Sequence, residues 1–126
     1  IVIAGNSELT DYINTGEKIN ARISSSLIRT IFFKNSPLHD GAIIVKENKI
    51  KAAGCILPLT QKELDQMLGL RHRAAVGITE TTDAVVIIVS EERGTISFTK
   101  AGKITRRVSK ELLTSLLEEN IFRSEF

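Results

Sequence analysis

Between Thr81-Thr82-Asp83 and Ser90-Glu91-Glu92 the chain runs through six consecutive apolar residues, Ala84 to Val89. A run this short, with polar residues at both ends, reads best as a central strand covered on both faces. Such a strand needs packing layers above and below it, so the flanking segments have to supply both neighbouring strands and helices.

They do so in a mixed pattern. Ile1 to Ala4 reads as a strand ended by Gly5-Asn6, and Leu9 to Asn14 as a short helix broken at Thr15-Gly16. Ile19, Ala21 and Ile23 alternate as in a half-buried strand. Ser24 or Ser25 can cap a helix reaching about Phe33, with Leu27, Ile28, Ile31 and Phe32 as its buried stripe. After the Asn35-Ser36-Pro37 loop, Ala42 to Val45 and Ile50 to Leu57 form two strands joined by Glu47-Asn48-Lys49, and Pro58 ends the second. Thr60 followed by Glu63 has the form of a capping box, predicting a helix over Gln61 to Leu68. A further helix is expected from Arg71 to Ile78, with Ala74, Ala75 and Ile78 inward, although Gly77 opposes it. Glu91 to Gly94 reads as a turn, Thr95 to Thr99 as a strand and Lys103 to Arg107 as an edge strand. Ser109 caps a last helix whose packing face is Leu112, Leu113, Leu116 and Leu117. The expectation is a single α/β domain over residues 1–126, a central mixed sheet flanked by helices on both faces.

Composition narrows the function. A lone cysteine, Cys55, excludes an intrachain disulfide framework and a cysteine-rich zinc site, and its apolar surroundings suit a buried small hydrophobe. A net charge of +2, with acids and bases interspersed, argues against a broad nucleic-acid-binding face but leaves room for a small phosphate pocket. No run of about 18 apolar residues spans a membrane and no signal peptide is visible, so the segment is expected to be soluble. It starts at Ile1 without a methionine, as would a piece cut from a longer protein.

Polar chemistry concentrates in three places. Asp40-Gly41 directly precedes a strand: the carboxylate can bind a divalent cation or accept a hydrogen bond, and the glycine lets a ligand approach the backbone. An ordinary turn-capping Asp is the competing explanation. His39, one residue away and pointing oppositely in an extended segment, reads as a packed, backbone-bonded histidine. Arg71-His72-Arg73 follows a helix stop, so free N–H groups and two guanidiniums can converge on a polyphosphate, with His72 kept neutral by its positive company; a solvated basic turn is the alternative. Ser90 and Glu91 end the most apolar strand, where ligands of α/β sheets collect, or else merely form a turn. There is no GxxxxGK[ST], GxGxxG or GxSxG, which removes the usual support for ATPase, dehydrogenase and serine-hydrolase chemistry.

Leu38-His39-Asp40-Gly41-Ala42, Leu57-Pro58-Leu59, Arg71-His72-Arg73-Ala74-Ala75-Val76-Gly77 and Val89-Ser90-Glu91-Glu92, in this order and spacing, resemble the catalytic domain of bacterial diadenylate cyclases, specifically the membrane-attached branch. The resemblance spans nearly the whole chain. It implies condensation of two ATP into cyclic di-AMP with release of two pyrophosphates, dependence on Mn²⁺, Mg²⁺ or Co²⁺, and an active site formed between two face-to-face domains of a homodimer or higher homo-oligomer. It further implies Asp40 and His72 as metal ligands, with Asp40 also positioning the 3′-hydroxyl and Arg71 and Arg73 on phosphate. Gly41, Ala42, Ile56 and Leu57 would shape the nucleotide pocket, with Leu70, Ser90 and Glu91 at its phosphate end. The full-length protein would sit at the membrane with this domain on the cytoplasmic side, open to a regulatory protein partner. Two positions depart from the pattern: Leu70 stands where the family commonly has Thr, and Ile56 where the membrane-attached branch often has Tyr. A nucleotide sensor without chemistry is the reading that those departures motivate.

Overall fold

The computed structural model describes residues 1–66, 68–90 and 94–121. In chain order the elements are β1 (Val2–Ile3), α1 (Thr10–Ile13), β2 (Glu17–Arg22), α2 (Ser25–Phe32), β3 (Ala42–Lys46) and β4 (Lys49–Cys55). They are followed by α3 (Leu70–Thr81), β5 (Val85–Val89), β6 (Ile96–Lys100), β7 (Lys103–Thr105) and α4 (Lys110–Asn120). The strands form one sheet in the order β2-β4-β3-β1-β5-β6-β7. Among the described residues only β1 and β3 pair in parallel; the other pairings are antiparallel. The apolar run Val85–Val89 is indeed interior to the sheet, between β1 and β6.

Alternation along the strands divides the core. Val2, Ile44, Ala52, Val86 and Ile88 face α3, which contributes Ala75 and Ile78. On the other face Ile43, Val45 and Ile50 pack beneath α2 through Ile31, while Val85 and Phe98 pack beneath Leu113, Leu116 and Leu117 of α4. Helices thus cover both faces. The Ser24 and Ser109 hydroxyls accept from the N–H groups of Leu27 and Leu112, each at 3.1 Å, and fix where α2 and α4 begin. Glu47 and Asn48 both have positive φ, 53° and 64°, making the tight two-residue turn that sets the β3–β4 register.

Several boundaries differ from the sequence expectation. The helix expected over Gln61–Leu68 does not form among the described residues. Thr60 is buried; its N–H donates to Arg73 O at 3.1 Å and its hydroxyl accepts from Lys62 N at 3.1 Å, so its capping oxygen closes a local turn instead. Leu112 is exposed, because the phase set by the Ser109 cap turns Leu113, Leu116 and Leu117 inward and leaves Leu112 one residue off the stripe. The strand expected over Ile50–Leu57 ends at Cys55, where Gly54 turns the chain with φ 65°. The third helix is longer than expected, Leu70–Thr81, and tolerates Gly77 because a Cβ there would lie 1.9 Å from Pro58 O. Helix and loop backbones touch at that point. The turn expected at 91–94 falls on Glu91, Glu92 and Arg93, which lie outside the described residues.

Candidate active site

Strand register gathers the candidate residues at one end of the sheet. Ala42 opposes Cys55, and Val2 pairs with both Ile44 and Val86, so the start of β3, the end of β4 and the end of β5 lie side by side. Asp40-Gly41, Ile56-Leu57 and Ser90 therefore occupy one edge. Helix α3 is pinned to the same edge through Arg71, whose Nη1 donates to Val89 O at 2.8 Å.

Asp40 owes its presentation to the loop before it. Leu38 N donates to Ser36 Oγ at 3.1 Å, and His39 donates to Ser36 O through both its backbone N–H and Nδ1, the latter at 2.8 Å. His39 is thus the backbone-bonded histidine the sequence suggested. Asp40 is exposed, and its carboxylate caps no turn among the described residues. Gly41 follows with φ 95°, and a Cβ on it would come within 2.8 Å of Gly54 C, so only glycine permits the chain entering β3 to lie this close to the end of β4.

The Ile56-Leu57 shelf hangs on a residue that sequence reasoning did not single out for a role. Thr15 Oγ1 accepts from Ile56 N at 2.8 Å while donating to Tyr12 O. Ile56 is 69% exposed, Leu70 is 70% and Val89 is 47%, three large apolar side chains open to solvent at the same sheet end. An enclosed core would not leave them so; they suit a base or an apposed surface.

Helix α3 brings charge to this edge. Its N-cap, Gly69, provides no side-chain cap, in contrast to α2 and α4, so the first-turn N–H groups are left for a ligand. His72 sits in that first turn, half-buried, with Nε2 3.5 Å from Ser97 Oγ on β6. Burial, then the Arg106 and Arg71 guanidiniums, hold His72 below the usual imidazole value, leaving it neutral at pH 7. Arg73 turns toward the 60–66 segment, lining a groove of about 490 Å³ with Thr60, Gln61, Glu63 and Gln66. Ser90 closes the end of β5, its N–H donating to Thr95 O at 2.9 Å; Glu91 lies outside the described residues. Cys55 is buried, with its thiol pushed up to about 11, and has no part in this surface.

Asp40 and His72 belong to the same sheet edge but not to one cluster. The strand Asp40 precedes, β3, and the strand His72 rests on, β6, are three positions apart, roughly 14 Å at ordinary strand spacing. Among the described residues no group of three or more His, Cys, Asp or Glu side chains is gathered to hold a metal. Asp40 as a hard oxygen donor and His72 as a neutral imidazole can each give one ligand to a divalent cation that takes the rest from phosphate and water, but within one copy of the chain they stand too far apart to share an ion.

The chain matches the family model described as "DisA bacterial checkpoint controller nucleotide-binding" over residues 1–104. It is 49% identical over 119 residues to the cyclic di-AMP synthase CdaA of Bacillus subtilis, covering 94% of this chain and 44% of that protein. To a diadenylate cyclase of Listeria monocytogenes it is 51% identical over 118 residues, covering 93% of this chain and 43% of that one. The crystal structure of a double-mutant DacA from Staphylococcus aureus superposes with a TM-score of 0.93 at 47% identity, covering 96% of this chain and 81% of that one. A hypothetical membrane-spanning protein of Bacillus cereus gives 0.81 at 44% identity, over 86% and 53% of the two chains. The chain thus spans less than half the length of these two curated relatives.

Proposed function

The chain belongs to the diadenylate cyclase family, and from that membership we propose that it condenses two ATP into cyclic di-AMP, releasing two pyrophosphates. The observation that carries this reading is the convergence of Asp40-Gly41, the Ile56-Leu57 shelf and the uncapped, arginine-bearing start of α3 at one open sheet edge.

Two P–O bonds form and two break. Each ATP uses its 3′-hydroxyl against the α-phosphorus of the other, and each attack expels pyrophosphate and loses one proton. Asp40, outward-facing, is placed to orient the hydroxyl and accept its proton. Arg71 and the N–H groups of the first turn of α3 meet the triphosphate and stabilise the charge that develops on the leaving group. Arg73, lying toward the 60–66 segment, adds positive charge behind them, and Ser90 offers a hydroxyl at the phosphate end. Ile56 and Leu57, with Gly41 and Ala42 opposite, hold the adenine. Asp40 and His72 would hold a divalent ion such as Mn²⁺, Mg²⁺ or Co²⁺, which supplies charge neutralisation at the phosphates.

The separation of β3, which Asp40 precedes, from β6, on which His72 rests, with β1 and β5 between them, supports a site assembled from two copies, one presenting the carboxylate and the other the imidazole and arginines. The exposed Ile56, Leu70 and Val89 give those copies an apolar meeting surface. No helix of the described residues is long and apolar enough to cross a membrane, and the membrane attachment of the longer protein is inferred from its relatives. The test is the dependence of cyclic di-AMP formation from ATP and Mn²⁺ on protein concentration. A rise steeper than linear supports the two-copy site; strictly proportional product from a monomeric chain refutes it.

A further inference from the structure

Arg106 lies two residues beyond the segment matched by the family model. It follows β7 directly, one residue past the last β6–β7 pair, Phe98 with Thr105. The ladder slips by one residue there, Arg107 taking φ 53° and Val108 N donating to Ile96 O at 2.8 Å. Successive strand residues project to opposite faces, so Arg106 leaves the sheet on the face opposite to Phe98 and Thr105, the face of Ser97. Ser97 is 5% exposed and its hydroxyl faces His72 on the first turn of α3, so Arg106 shares the face of the phosphate-binding helix start.

On its other side Arg106 meets Asp65, with Nη1 to Oδ2 at 3.7 Å and both side chains about half exposed. That distance is too long for a hydrogen bond, and a surface ion pair of this kind stabilises little. Triphosphate oxygens, by contrast, take a guanidinium in short, charge-assisted and often bidentate contacts. Exchange of Asp65 for phosphate is therefore favourable.

Resting on the cyclase reading, we propose that Arg106 is a further phosphate-binding residue of this site, engaging the β- and γ-phosphates of ATP from the sheet edge and held by Asp65 when nucleotide is absent. The experiment is calorimetric binding of 3′-deoxy-ATP and 3′-deoxy-AMP, which lack the nucleophile, to the parent, R106Q, R106K and D65N, with thermal melts of each. R106Q is expected to bind 3′-deoxy-ATP about tenfold more weakly, while 3′-deoxy-AMP binding stays within about twofold of the parent. R106K should recover part of the loss, and D65N should bind 3′-deoxy-ATP at least as tightly as the parent. Unchanged 3′-deoxy-ATP binding by a folded R106Q overturns the proposal. So does an equal loss for both nucleotides, or a D65N protein that loses as much as R106Q, which would make Arg106 a brace for the 60–66 segment. A parent chain that binds neither nucleotide would instead sink the cyclase reading.

Discussion

Gly77 sits in the interior of α3, where glycine normally costs about 1 kcal/mol relative to alanine, so G77A would be expected to stabilise an isolated helix. In the folded chain the sign reverses. The added Cβ would lie 1.9 Å from Pro58 O and 2.7 Å from Pro58 C, against a limit near 3.0 Å that real Cβ atoms respect, so α3 and the 58–59 backbone must separate by more than an ångström. Because the obstacle is main chain and not a rotatable side chain, the cost belongs at the upper end of the 1–3 kcal/mol usual for overpacking. Set against the helix-propensity gain, the net loss is about 2 kcal/mol. With a urea m-value of about 2 kcal/mol/M, as small domains have, the midpoint should fall by roughly 1 M. G69A is the contrasting control: nothing lies within 4 Å of its added Cβ, and the poorer N-cap should shift the midpoint by no more than about 0.5 M. Pro58 adjoins the Ile56-Leu57 shelf, so the G77A protein that remains folded should also bind 3′-deoxy-ATP more weakly. A G77A chain as stable as the parent or more so would refute the close-contact account of α3.

Two other consequences follow from the site. I56Y places a ring on the exposed shelf held by Thr15, and stacking worth about 0.5–1.5 kcal/mol should tighten 3′-deoxy-ATP binding about three- to tenfold by calorimetry; unchanged affinity would place the adenine elsewhere. His72 has a lower pKa folded than its usual 6.5, with burial as the first cause and Arg106 and Arg71 following. Just below pH 6.5 the unfolded chain therefore binds more protons at this position, so stability increases with pH through that window and is lost as pH falls through it. Urea midpoints at pH 7.5 and 5.5 should differ more for the parent than for H72Q, and equal differences would contradict the depressed imidazole.

Local signals in the sequence were sufficient where one residue controls one event. Ser24 and Ser109 start their helices, Glu47-Asn48 turns the β3–β4 hairpin, and the apolar run at Val85–Val89 sits inside the sheet. The Thr60–Glu63 pattern misled because a capping box describes only local bonding, whereas Thr60 is buried and bonded to Arg73 across the chain. Gly77 looked like a helix defect because its reason, the Pro58 backbone, lies nineteen positions away. Motif order identified Asp40-Gly41 and Arg71-His72-Arg73, but not that register brings them to one edge while keeping β3 and β6 three places apart. Thr15 and Ser97 carry no sequence signal of their own, since their partners Ile56 and His72 are distant in the chain.

The proposed nucleotidyl transfer depends on the carboxylate before β3. The most direct measurement is chromatographic detection of cyclic di-AMP after incubating concentrated chain with ATP and Mn²⁺, with D40N in parallel. Asp40 is exposed and makes no cap or ion pair among the described residues, so D40N should fold and melt like the parent. The parent should yield cyclic di-AMP and twice its amount of pyrophosphate, with D40N product reduced at least a hundredfold, within the range that general acid–base groups contribute. Undiminished product from a folded D40N chain would contradict it.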